Sequence, residues 1–212
     1  MSIIDLSHPI REGMPVYPGT RPPTVTVVSD YEPDLFRERL LSLCSHTGTH
    51  VDVPAHVFPG GKTLSDFPTE ALVGRALVID CRHLGADAPV TMTALSRYGD
   101  KVRAADYLLF CFGFDRHWGS PRYFEDYPCL DLEVIDFIAK GGYKGIGLDT
   151  VSLDPVGSLE RHRRLFSQAD ILNVENLTHL ELLGDDLFDF YCLPLPIEGG
   201  DGAPVRAVAI LP

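Results

Sequence analysis

The sequence predicts an α/β fold, and three observations carry that expectation. Short apolar runs bounded by turn-forming residues recur along the chain, an amphipathic segment lies between two of them, and β-branched residues crowd the first third. "TVTVVSD" (24–30) reads as a strand because β-branched side chains suit a pleated surface, and "FRERLLSLCSH" (36–46) as a second extended segment. "RALVIDC" (75–81), "DYLLFCF" (106–112) and "KGIGLDT" (144–150) are continuous apolar runs, the pattern of central strands buried on both faces. Between the last two, "DLEVIDFIAKGG" offers Asp131 as an N-cap, apolar positions 132, 134, 135 and 138 on one helical face, and Gly141-Gly142 as a stop. Strand, helix and strand in succession predict a parallel crossover. "ADILNVENL" (169–177), "FDFYCLPLPI" (188–197) and "PVRAVAIL" (204–211) supply the closing strands.

At 212 residues the chain suits one domain spanning 1–212 with a substantial core. Its 45% hydrophobic content and mean hydropathy of +0.04 are those of a soluble globular protein. The longest apolar runs are too short to span a bilayer, and "MSIIDLSHPIREGMP" lacks the basic start and apolar stretch of a secretory signal, so a cytoplasmic location is expected. Cys44, Cys81, Cys111, Cys129 and Cys192 are odd in number and form no C-x-x-C pair, as expected of reduced thiols. Thirty acidic against 18 basic residues give a net charge of −12, which repels phosphate backbones and argues against nucleic acid as a partner.

The densest chemistry lies in "SHTGTHVDVPAH" (45–56). On an extended chain His46, His50, Asp52 and His56 share one face, because side chains alternate. A helix would also align His46 with His50, but Thr47, Gly48, Thr49, Val51, Val53 and Pro54 make a poor one. A straight strand would hold the Cα atoms of His46 and His50 roughly 13 Å apart, near the limit for imidazoles meeting one ion through ~2.1 Å bonds. Gly48 is the expected bend that brings His46, His50 and Asp52 to one centre. Four such groups on one face around a glycine outweigh the bland alternative of a surface strand with scattered histidines. Nitrogen and carboxylate donors without thiolate point to Zn²⁺, with Mn²⁺ as the alternative, and an open position would make the site catalytic. His56 lies farther along and is the candidate general acid/base.

Competing motifs fail on their own chemistry. "GGKT" (60–63) lacks the glycine a phosphate loop needs at position 56, no G-x-S-x-G is present, and Cys44 has no orienting acid to make it a nucleophile. His8, His83, His117 and His179 are isolated and read as structural or solvent-facing, with His117-Trp118 a possible pocket wall. Asp154 reads as a turn residue ahead of Pro155.

His46-x-Gly48-Thr49-His50-x-Asp52-x-Pro54-x-His56 resembles the H-x-G-T-H-x-D-x-P-x-H signature of the cyclase family of metal-dependent hydrolases, which includes bacterial kynurenine formamidases and, as relatives, isatin hydrolases. The resemblance continues through "IIDLSHPIREGMPVYPG", "GFDRHW", "GIGLDTVSLDP", "HRRLFSQADILNVENL" and "GGDGAPVRAVAIL". It implies a mixed-sheet fold of the swivelling β/β/α type and hydrolysis of an amide-like carbonyl by metal-activated water. It further implies that His46, His50 and Asp52 bind a first metal, that Asp52 reaches a second held by His162 and Glu175, and that His56 moves protons. Without it, His162 among arginines reads as a solvated helix face and Glu175 as a strand-end charge. Tyr17 stands where the formamidases usually carry tryptophan, and His162 and Glu175 are one residue farther apart than the family spacing. The expected substrate is a small aromatic amide, N-formylkynurenine foremost, flanked by Tyr17 and Phe58. A cyclic amide, lactone or imide, or a non-catalytic metal-binding role, is the alternative. The family also implies a homodimer or higher homo-oligomer, with "MPVYPGTRPP" as an arm between subunits.

Overall fold

A computed structural model of the protein describes residues 1–85 and 88–212. Among the described residues ten strands are formed: β1 (Ser2–Asp5), β2 (Thr24–Ser29), β3 (Glu38–Ser42), β4 (His50–Asp52), β5 (Val73–Asp80), β6 (Tyr107–Cys111), β7 (Gly145–Leu148), β8 (Leu172–Glu175), β9 (Phe188–Pro194) and β10 (Gly202–Leu211). The helices are α1 (Tyr31–Asp34), α2 (Met92–Ser96), α3 (Asp100–Ala104), α4 (Leu132–Lys140) and α5 (Glu160–Phe166). The main sheet runs β1-β10-β4-β8-β7-β6-β5-β9, and β9 pairs back onto β10. Strands β10, β4, β8, β7, β6, β5 and β9 therefore close into a ring with no open edge of its own, and β1 joins β10 as an added edge strand. The core strands β5 to β8 are parallel, and β6-α4-β7 is the expected crossover.

Alternation along the ring strands builds two apolar layers. Ala76, Val78, Leu109, Val174, Phe190 and Ala207 pack inside it. Leu77, Ile79, Leu108, Phe110, Ile146 and Leu148 face outward onto Val134, Ile135 and Ile138 of α4 and Leu165 and Phe166 of α5. Both faces of β5, β6 and β7 are thus buried, as their unbroken apolar runs predict. Asp131 does precede α4, but its side chain makes no capping bond, and its carbonyl accepts the Ile135 N–H instead.

The first third departs from expectation. β2 and β3 pair only with each other and stand outside the ring as a hairpin. The extended segment expected over 36–46 ends at Ser42, and Ser45-His46 form a turn. Within 44–56 only His50–Asp52 is strand, while Pro54–His56 winds into one 3₁₀ turn because Pro54 fixes φ at its first position. No described helix is long and apolar enough to cross a membrane.

Candidate metal centre

Strand β4 lies between β10 and β8. Its Val51 points into the ring, so His50 and Asp52 point outward. On β8 the same alternation sends Leu172 and Val174 inward and Asn173 and Glu175 outward. The antiparallel register sets His50 opposite Glu175 and Asp52 opposite Asn173. Four polar side chains thereby share one patch of the outer face. From above, α5 lowers His162 onto the patch, with Leu165 and Phe166 of the same helix buried in the core.

His46 reaches the patch from the turn before the strand. Gly48 has φ +66°, the left-handed backbone that turns the chain back, and the His50 Nδ1–H donates to its carbonyl at 2.8 Å. That bond leaves His50 Nε2 directed at Asp52 Oδ1, 3.1 Å away. His46 Nδ1 lies 2.6 Å from the same oxygen. The other oxygen, Asp52 Oδ2, is 3.3 Å from His162 Nε2, which in turn lies 3.2 Å from Glu175 Oε1. Besides a rim group of His46, His56 and Asp201, two sets of potential ligand atoms result, His46/His50/Asp52 and Asp52/His162/Glu175, each within 4.8 Å. Asp52 belongs to both through its two oxygens.

The donor chemistry fits divalent cations. Asp52 and Glu175 are buried, and no Lys or Arg among the described residues pairs with either; their only ionic partners are imidazoles. Buried carboxylates need a paired or coordinated positive charge. Burial alone would raise the Asp52 carboxyl, but His50 and His46 beside it hold it well below the usual carboxylate range. Burial opposes charge on His46, yet Asp52 and Asp201 outweigh it and lift the imidazole to about 9. His162 is likewise held well above the ordinary histidine value, its burial overcome by Asp154, Asp52 and Glu175.

His56 sits at the rim on its 3₁₀ turn, its ring centroid 3.9 Å from that of His46 and 5.9 Å from that of His162. It does not share an extended face with the other three, because the chain has left the strand by Pro54. Burial, with His46 and His162 nearby, pushes it below the ordinary histidine value despite Asp52.

Sequence reasoning overlooked three neighbours. Asp154 is fully buried and accepts from His162 Nδ1 at 2.8 Å and from the His162 backbone N–H at 3.0 Å; only the turn before Pro155 was visible in the sequence. Asn173 contacts Asp52 and Glu175, and its signal was its place two residues before Glu175 on a buried strand. Asp201 lies 3.0 Å from His46 Nε2 and 3.8 Å from His56 Nδ1, and nothing local in "GGDG" marks it.

The residues open onto a cavity of about 650 Å³, lined by Tyr17, Trp118, Tyr123 and Phe124 on its aromatic side and by His46, His50, His56, His162 and Glu175 on the other. The Tyr17 hydroxyl accepts the Gly157 N–H at 2.7 Å, which fixes the ring. Phe58 does not line this cavity: it packs on the outer apolar layer beneath the Arg163 guanidinium, 5.7 Å from its centroid, because the Pro54–His56 turn carries it away.

The cyclase family model, described as "Putative cyclase", matches residues 4–155. A kynurenine formamidase of Bacillus cereus is 30% identical over 208 residues, covering 97% of this chain and 95% of its own length. One from Salinibacter ruber is 33% identical over 217 residues, covering 98% and 97%. Isatin hydrolase A from Labrenzia aggregata, solved bound to benzyl benzoate, superposes with a TM-score of 0.86 at 22% identity over 98% of this chain and 93% of its own, which demonstrates the shared fold. The chain belongs to the cyclase family.

Proposed function

We propose that this protein is a metal-dependent amide hydrolase of the arylformamidase type, converting an N-formyl aryl amine, with N-formylkynurenine as the first candidate, to the free amine and formate. The observation that carries the reading is the pair of adjoining ligand sets sharing Asp52 at the base of an aromatic-walled cavity. His46, His50 and Asp52 are assigned to one cation, and Asp52, His162 and Glu175 to another. Zn²⁺ is the first choice and Mn²⁺ the alternative. A bound divalent cation supplies Lewis-acid activation of water and of the scissile carbonyl.

The chain's own groups do the rest. Tyr17, Trp118, Tyr123 and Phe124 hold the substrate ring by apolar contact, restricting the carbonyl to the histidine-lined side. His56, held below its ordinary value, is unprotonated at neutral pH and takes the proton from the attacking water. It then delivers that proton to the leaving nitrogen, so that one water is consumed for one amine and one formate. Asp201, 3.8 Å from His56 Nδ1, biases the orientation of the imidazole during the transfer.

The decisive experiment incubates metal-replete protein with N-formylkynurenine, other aryl formamides and isatin, in wild type and His56→Ala. Amine and formate in equal amounts, with a loss of at least 10²-fold in the variant, is the expected result. Tight metal and ligand binding without product would make the protein a binding member of the family. Faster turnover of isatin would move it to the cyclic-amide branch.

The reading extends to a single domain over 1–212 working as a homodimer in the cytoplasm. Five free cysteines suit a reducing compartment, and the exposed apolar hairpin β2-β3 suits a subunit contact.

A further inference from the structure

Asn173 is placed at odds with its own hydrogen bonding. Its side chain is fully buried on β8, directly across from Asp52. The amide nitrogen donates to Asp52 Oδ2 at 3.0 Å and to Glu175 Oε1 at 2.9 Å, and lies 3.3 Å from His162 Nε2. Those atoms belong to the three residues of the second ligand set. The amide oxygen, meanwhile, is buried and accepts no hydrogen bond. Leaving a buried carbonyl unpaired forfeits its hydration without return, so native proteins rarely tolerate it without a reason.

The reason lies in the charge between the carboxylates. The N–H groups of Asn173 face the Asp52 and Glu175 carboxylates, and the oxygen is left without a partner. A divalent cation among the same three atoms reverses the preference, because amide hydrogens would then face positive charge. Rotation of the amide by half a turn exchanges its ends and carries Oδ1 to the place Nδ2 now holds. The cation gains a neutral oxygen donor and the orphaned acceptor gains a partner.

We propose that Asn173 Oδ1 is a fourth protein ligand of the second metal position, beside Asp52, His162 and Glu175. The proposal rests on the metal-hydrolase reading above and makes a separate claim within it. Its chemical consequence is a division of preference between the two positions. The first offers two imidazoles and one carboxylate; the second offers three oxygens and one imidazole. Oxygen-rich sets favour harder cations, so the second position takes Mn²⁺ relatively better than the first.

The test counts metal rather than turnover. Chelator-stripped wild type, Asn173→Ala and Asn173→Asp are titrated calorimetrically with Mn²⁺ and with Zn²⁺, and bound metal is measured by elemental analysis. Wild type binds two equivalents. Asn173→Ala keeps the first equivalent at unchanged affinity and binds the second about 10- to 100-fold more weakly. Asn173→Asp, which keeps the shape and presents oxygen from both ends, binds the second at least as tightly as wild type. It also serves where the alanine variant fails to fold. A second equivalent bound equally or more tightly by Asn173→Ala, or more weakly by Asn173→Asp, overturns the role of Asn173 while leaving the hydrolase reading intact. Wild type that binds no metal overturns both.

Discussion

Asp154 shows how one side chain can decide whether another is a ligand. Its Oδ2 takes the hydrogen of His162 Nδ1 at 2.8 Å and its Oδ1 takes the Arg161 N–H at 2.8 Å, so the carboxylate is fixed by the first turn of α5. With Nδ1 committed as donor to Asp154, the neutral His162 imidazole keeps its Nε2 lone pair for a cation. Asp154→Ala is therefore expected to weaken metal binding at the His162 set by about 10- to 100-fold while leaving the His46 set intact, as stepwise calorimetric titration would show. Equal weakening at both sets would refute the assignment. His8 offers a test of opposite character, through stability. Its ring stacks on Trp118 at 3.8 Å and 3°, its Nε2 is buried without a partner, and burial holds its pKa down to about 4 although Asp115 opposes this; His179 adds to the lowering. The unfolded chain, with His8 near 6.5, binds more protons than the folded one between pH 6.5 and 4. The contribution of His8 is thus fully present above about 6.5 and disappears as the pH falls through 4. Replacing it with Phe keeps a stacked ring without a titration. The stability difference between wild type and variant should shift against wild type over that interval in urea unfolding; parallel curves would contradict it.

At the scale of elements, the site is a product of register. His50 opposite Glu175 and Asp52 opposite Asn173 place four side chains on one face with no long-range search by flexible loops. The period-two reading of "HTGTHVD" identified His50 and Asp52 because those residues are strand, and the bend at Gly48 because only the left-handed backbone at φ +66° satisfies the spacing. It misplaced His56 on that face because Pro54 ends the strand and opens a 3₁₀ turn, a local breaker that the period-two reading passed over. His162 and Glu175 were legible only through family likeness, since a helix residue and a strand residue 13 positions apart carry no shared periodicity. Gly202 tests the role of register directly. It lies opposite Asp52 on β10, and a Cβ there would come within 2.6 Å of His46 Cε1 and of the Val51 carbonyl oxygen. Gly202→Ala should cost about 1–3 kcal/mol in urea unfolding and selectively weaken the His46 set, because His46 must move or the strands must part. Unchanged binding at that set would show that β10 does not constrain it.

For the whole molecule, the ring closes through β9 and β10, two late strands whose pairing joins Ile210 to Asp189 and Val205 to Pro194. Apolar patterning predicted both as strands but could not predict closure, which depends on accumulated twist rather than on any one segment. The same closure leaves β2 and β3 without a place in the ring. A two-stranded ribbon is marginal on its own in water, yet this one exposes Val27, Val28, Leu40 and Leu41 along its strands and Tyr31, Leu35 and Phe36 at its tip. So concentrated an apolar surface calls for a cover. A second copy of the chain is the occupant consistent with the proposed homodimer. Position supports this further: the hairpin leaves the body just after Tyr17, Thr20 and Arg21 and returns just before Cys44 and His46, all of which line the cavity. Docking it would therefore order both the aromatic wall and a histidine of the first candidate ligand set. Sedimentation equilibrium at micromolar concentration should find a dimer, and the double variant Val27→Lys, Leu40→Lys should shift it toward monomer because two charges per hairpin must be desolvated. If the hairpin only joins subunits, the monomeric variant keeps its activity. If it also orders the cavity, KM rises while metal binding at the His162 set, anchored by α5 and β8, is retained. A wild-type monomer at these concentrations would remove the hairpin from both roles.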